Sequence, residues 1–165
     1  VTVDKIYLVG FMGAGKSTVA RALGRRLGWK VEDIDERIEA LERRTIPAIF
    51  SQAGEPYFRE VERAVLHSLI PAHDVIVSTG GGTFADPENR VAMLATGAVA
   101  WLDLPFERVV ARLPADGRRP LAQDRARMEQ LYESRLPAYR EAHVRVDASQ
   151  PVDAVVEHIL AWVGY

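Results

Sequence analysis

Ile6-Tyr7-Leu8-Val9-Gly10-Phe11-Met12-Gly13-Ala14-Gly15-Lys16-Ser17-Thr18 is the stretch on which the reading of this chain turns. Its first four residues are uniformly apolar, as a strand buried on both faces requires. Gly10 closes that run, and residues 10–17 match the spacing G-x-x-x-x-G-K-[ST]. Val19, Leu23 and Leu27 follow at helical intervals and predict a helix from about Gly15 to Leu27. Strand, glycine loop and helix in this order are the context a phosphate-binding loop needs. Glycines let successive backbone N–H groups curl toward a polyphosphate, and the helix N-terminus adds positive potential. In such a loop Lys16 reaches the β and γ phosphates and the Ser17 hydroxyl ligates Mg²⁺. The expected nucleotide contacts are Gly13, Ala14, Gly15, Lys16, Ser17 and Thr18, with a nucleoside triphosphate and Mg²⁺ as the bound species.

Outward from this loop the pattern alternates. Lys30 to Asp33 reads as a second strand, and Ile34 to Leu69 as three helical pieces broken at Ile46-Pro47 and at Gly54-Glu55-Pro56. Val75-Ile76-Val77 is a third strand, ending in Gly80-Gly81-Gly82. A helix around Pro87 to Ala95 leads to a strand at Ala98 to Leu102, then to a helix at about Pro105 to Leu113. A polar stretch, a helix from about Arg125 to Arg140, a strand at Val144-Arg145-Val146 and an amphipathic closing helix complete the chain. The alternation predicts an α/β fold, a three-layer α/β/α domain with a five-stranded parallel sheet.

Composition narrows the function classes. The 165 residues are the length of one domain, taken as 1–165, and 48% apolar with 27% charged residues is ordinary for a globular protein. Absence of cysteine excludes disulfides, thiolate metal sites and a cysteine nucleophile. A net charge of −2 gives no bulk attraction to nucleic acid, and no apolar run approaches the roughly 18 residues of a membrane span. The first ten residues do not resemble a signal peptide, so the expectation is a cytoplasmic monomer without nucleic-acid or membrane partners. Eighteen of the 21 basic residues are arginine, which makes an arginine cluster weak evidence and the loop lysine stronger. The four histidines (67, 73, 143 and 158) lack metal-like spacing and read as structural; the tryptophans at 29, 101 and 162 read as packing. No Asn-Lys-x-Asp element for guanine is present. A small-molecule or nucleotide kinase is the class that remains.

Several residues admit two readings from spacing alone. Asp33 and Asp35 sit at the end of the second strand, where parallel sheets present ligand contacts. Asp33 with Glu36 equally fits a capping box. Arg59 and Arg135 suit either a solvated surface or a carboxylate, and Phe50 and Phe58 either the core or the wall of a site. Gly80-Gly81-Gly82 is either a flexible turn or a place of close backbone approach.

Taken together, Gly10 to Thr18, Asp33-Ile34-Asp35 with Ile38-Glu39, Phe58-Arg59-Glu60-Val61-Glu62, Gly80-Gly81-Gly82, Arg119-Pro120-Leu121 and Arg135-Leu136-Pro137-Ala138-Tyr139 resemble the shikimate kinase family, in the same order and across nearly the whole chain. The resemblance implies transfer of phosphate from ATP to the 3-hydroxyl of shikimate, with Lys16, Asp35 and Arg119 catalytic. It places Ser17 and Asp33 at the metal, Asp35 on the reacting hydroxyl, and Arg59 and Arg135 on the substrate carboxylate, with Glu62 holding Arg59. Gly80, Gly81 and Gly82 meet the substrate hydroxyls, and Ser78 takes a shortened Walker B position. Arg112, Arg119 and Gln150 fall on the nucleotide side; the substrate-binding helical segment spans about 33–62 and a mobile lid about 112–125. Departures are Ile34 where the family has a small polar residue, Ala122 in place of a leucine, a short stretch from Arg119 to Arg135, and no arginine within 148–151. They bear on lid and nucleotide affinity more than on reaction type. A gluconate kinase, or a nucleotide-binding regulatory domain without transfer, are the rival readings.

Overall fold

The computed structural model describes residues 3–113 and 122–165. Five parallel strands form one sheet in the order β2-β3-β1-β4-β5, with β1 at Lys5–Val9, β2 at Lys30–Asp33, β3 at Val75–Ser78, β4 at Ala98–Asp103 and β5 at Val144–Asp147. The glycine loop thus leaves the central strand. All five residues of β1 and all four of β3 are buried, and β4 is buried up to Leu102. The edge strand β2, Lys-Val-Glu-Asp, is only partly covered, which its polar residues tolerate.

Helices α1 (Lys16–Leu27), α2 (Ile34–Glu42), α3 (Ile46–Ala53), α4 (Glu55–Leu69), α5 (Pro87–Thr96), α6 (Phe106–Ala111), α7 (Ala122–Tyr139) and α8 (Val152–Val163) connect the strands. Val19 and Leu23 of α1, and Val155, Val156, Ile159 and Leu160 of α8, enter the core as their spacing requires. Thr45 caps α3 by accepting from Ala48 N–H, with Pro47 in the first turn, and Gly54 ends it at φ 85°. Arg43, left-handed at φ 55°, ends α2, and these two stops break the long helical stretch after β2 into three pieces. Helix α6 is shorter than its apolar spacing suggests: it stops at Ala111, where Arg112 turns out of helical geometry.

The C-terminal ends of β1, β2 and β3 lie side by side, since Leu8 and Asp33 both stand opposite Ser78 in the ladder. From β1 the chain goes first to the edge strand β2, returns to insert β3 beside β1, and then crosses to β4 on the other side. The crevice at such a reversal of strand order is where open α/β sheets bind ligands.

Candidate active site

The glycine loop after β1 is shaped by positive φ angles at Gly13 (76°) and Gly15 (91°), which side chains with a Cβ adopt at a cost. Gly15 is also the N-cap of α1, so the first free N–H groups of that helix face the loop. Lys16 folds back over the loop and donates to the carbonyls of Gly10 (2.5 Å) and Phe11 (3.1 Å). Burial pushes Lys16 down to about 8, aided by the Arg135 charge and opposed by Asp35 and Asp33.

Asp33 caps α2 and also turns an oxygen toward the glycine loop. Its Oδ1 accepts from Glu36 N–H at 3.1 Å and caps α2. Its Oδ2 accepts from the Ser17 hydroxyl at 3.0 Å. Ser17, Asp33 and Ser78 line one hollow beside the loop, a set of hard oxygen donors suited to a Mg²⁺ that retains much of its water. Among the described residues no group of three or more His, Asp or Glu could hold a metal alone, so the site fits an ion bound together with phosphates. Ile34, between the two aspartates, is fully buried in the core. The apolar departure there anchors α2 and leaves Asp35 on the open side.

Asp35 lies against the triple-glycine segment: a Cβ on Gly80 would come within 3.0 Å of its Oδ1. Burial raises its carboxyl to about 6, with the charges of Asp33 and Glu62 adding to the effect and Lys16 opposing it. Its neighbours continue the pattern. A Cβ on Gly81 would lie 2.9 Å from Arg135 Nη1, and one on Gly82 would lie 2.6 Å from Arg59 Nη2. At the three glycines, which lack a Cβ, one carboxylate and two guanidinium groups thus close on the same backbone.

Glu62, 1% exposed, receives Arg59 Nη1 on Oε1 and the Thr83 hydroxyl on Oε2, both at 2.9 Å. Thr83 Oγ1 in turn accepts from Gly80 N–H at 3.0 Å, so in this unliganded chain that amide is engaged within the protein. Arg59 also stacks over the ring of Phe58, 5.1 Å from its centroid. Phe58 is buried and packs on the more exposed Phe50 with centroids 4.7 Å apart. Arg135 lies over Phe11 of the glycine loop at 5.9 Å. Arg59, Arg135 and Gly82, with Glu55, Arg63 and Asp86, line an open hollow of about 320 Å³ beside the glycine segment. On the opposite side Arg112 donates to Gly13 O (2.9 Å) and Ala148 O (3.3 Å), bridging the glycine loop to the segment that leads to Gln150. Arg119 and most of the expected lid, 112–125, lie outside the described residues.

The family model for shikimate kinase matches residues 12–164. The chain belongs to the shikimate kinase family. A shikimate kinase of Persephonella marina is 44% identical over 142 residues, covering 86% of this chain and 87% of that one. One from a Sulfurihydrogenibium species is 44% identical over 157 residues, 94% and 95% of the two chains. The structure of shikimate kinase from Acinetobacter baumannii in complex with shikimate matches at a TM-score of 0.89 and 35% identity, over 98% of this chain and 94% of that one. A gluconokinase from Sinorhizobium meliloti shares the fold, at a TM-score of 0.63 and 18% identity over 97% of this chain and 91% of that one, and speaks for the fold alone. As a member of the shikimate kinase family, the chain is an enzyme that phosphorylates shikimate with ATP as donor.

Sequence reasoning missed Thr83 and the partner of Tyr139. Thr83 follows the glycines with no spacing signal of its own, and only the approach of α4 gives its hydroxyl a carboxylate. The histidines read as structural behave so where they have partners: His143 Nδ1 accepts from Val99 N–H at 3.0 Å, and His73 pairs with Asp4.

Proposed function

We propose that the chain transfers the γ-phosphoryl group of ATP to the 3-hydroxyl of shikimate, with the nucleotide on the Gly10–Ser17 loop and shikimate between Asp35, Arg59, Arg135 and the glycine segment. The observation that carries this reading is the convergence of one carboxylate and two arginines on Gly80, Gly81 and Gly82. Two guanidinium groups suit the bidentate capture of a carboxylate. Asp35 then accepts a hydrogen bond from the hydroxyl beside it and aligns that oxygen for in-line attack, which in a loose phosphoryl-transfer transition state is mainly an orienting task. Lys16 exchanges its loop carbonyls for the β and γ phosphates and stabilises charge on the transferring group. Mg²⁺ bound with the nucleotide would be held by Ser17, with Asp33 behind it, and would neutralise developing charge on the phosphate oxygens. Arg112 and Gln150 are assigned to the nucleotide side, Thr18 to the loop's last phosphate contact, and Arg119 to the transferring phosphoryl group from a lid spanning 112–125. The enzyme is proposed to act as a cytoplasmic monomer.

The test is ADP release with Mg-ATP and shikimate, gluconate or no acceptor. Strong release with shikimate and little without it is the expected result. Release with gluconate alone would overturn the substrate, and ATP binding with no acceptor-dependent release would overturn catalysis.

A further inference from the structure

Tyr139 is 1% exposed, yet carries a polar group that the mechanism above does not use. Its hydroxyl donates to the carbonyl of Gly81 at 2.5 Å. Its ring packs on Trp101 with centroids 5.8 Å apart, so core packing sets where that hydroxyl stands. Burial pushes the phenol up to about 12, which keeps it a proton donor at every pH below that.

The bond has geometric consequences at the substrate site. The peptide joining Gly81 to Gly82 is trans, so a partner on the Gly81 carbonyl dictates the opposite direction for the Gly82 N–H. These are the two residues against which the arginines rest, Arg135 on Gly81 and Arg59 on Gly82. Arg135 and Tyr139 are one turn apart on α7 and share a face of it. One turn of helix therefore meets the glycine segment twice, through the guanidinium and through the phenol.

We infer that Tyr139 is a positioning residue for the acceptor side of the reaction, its hydroxyl setting the Gly81–Gly82 peptide and through it the spacing of Arg59 and Arg135. This rests on the proposed role of those arginines as the shikimate carboxylate clamp. The hydroxyl touches no reacting atom. It acts by holding the floor on which the clamp lies, and it ties that floor to the same helix that supplies one arm of the clamp.

The test is Tyr139→Phe, which removes one oxygen and keeps the ring. Tyr132→Phe is the control, removing another buried tyrosine hydroxyl of α7, one that donates to Leu104 O at 3.0 Å. Tm and the KM values for shikimate and ATP are measured for both beside the wild type. The expected result for Tyr139→Phe is a shikimate KM raised about fivefold or more with the ATP KM within twofold, while Tyr132→Phe leaves both KM values unchanged, as differential positioning predicts. A Tyr139→Phe enzyme with wild-type constants, even with a lowered Tm, would overturn the inference and leave the hydroxyl a stabiliser of the fold. Equal rises in both KM values, or the same changes in Tyr132→Phe, would also overturn it. A wild-type enzyme without shikimate-dependent turnover would overturn the underlying reading, and this inference with it.

Discussion

Lys16 and Asp35 are tuned in opposite directions by the same cause. Burial disfavours whichever form carries charge, so the ammonium goes down to about 8 and the carboxyl up to about 6. Activity that needs a charged Lys16 and an ionised Asp35 then has two limits. We expect kcat/KM for shikimate to climb about tenfold per pH unit toward pH 6 and then level. We expect kcat/KM for ATP to decline above about pH 8; steady-state kinetics across pH 5–9 checks both. The raised carboxyl also has a stability consequence. The folded chain keeps a proton on Asp35 up to about pH 6, whereas the unfolded chain loses it near 3.8. Stability therefore falls as pH rises through that window, by roughly 1–3 kcal/mol once partial exposure is discounted. Asp35→Asn should raise Tm at pH 7, lose that advantage near pH 4, and cut kcat by about 10²-fold or more. Lys16→Ala should reduce turnover by roughly 10³-fold or more, because it removes the ammonium held over the loop at the carbonyls of Gly10 and Phe11.

At the scale of elements, the glycine segment after β3 contrasts with a glycine at the other end of the sheet. A Cβ on Gly82 would meet the guanidinium of Arg59, the mobile end of a side chain. A Cβ on Gly97 would meet the backbone carbonyl of Lys5 at 2.9 Å and the ring of Tyr7 at 2.8 Å, neither of which can yield. Gly82→Ala is thus expected to keep its Tm within a few degrees and raise the shikimate KM at least tenfold, while Gly97→Ala loses about 1–3 kcal/mol of stability with little change in KM. Thermal denaturation beside steady-state kinetics separates the two. Most elements were legible because their punctuation is local. The range of β2 is as its sequence suggests, and the helical stretch after it is interrupted near Ile46-Pro47 and at Gly54 as predicted, although α2 already stops at Glu42 with Arg43 in the left-handed region. Helix α6 was misjudged by its length, since Arg112 leaves the helix to bridge Gly13 and Ala148. Those partners lie 99 and 36 residues away, and no local pattern announces them.

At the scale of the molecule, the central β1 sets the nucleotide loop between the acidic end of β2 and the glycine segment after β3 on one side and the end of β4 on the other. The described residues offer Mg²⁺ a hydroxyl and a carboxylate and no cage of their own. EDTA should therefore stop ADP release, reversibly on restoring Mg²⁺, and leave the Tm of the nucleotide-free chain unchanged; a fall in Tm would reveal a structural metal. Fold class, the glycine loop between strand and helix, and the family could be read along the chain, because each rests on contiguous motifs or on strand and helix periodicity; that Asp35, Arg59 and Arg135 converge on one glycine backbone could not. Whether Asp33 caps a helix or faces the loop could not be read, and the folded chain has it do one with each oxygen, Oδ1 on Glu36 N–H and Oδ2 on the Ser17 hydroxyl. The Glu62–Thr83 bond and the Tyr139–Gly81 bond were equally hidden. They join residues 21 and 58 positions apart through single side-chain atoms, and such contacts exist only once packing brings α4 and α7 onto the same glycine backbone.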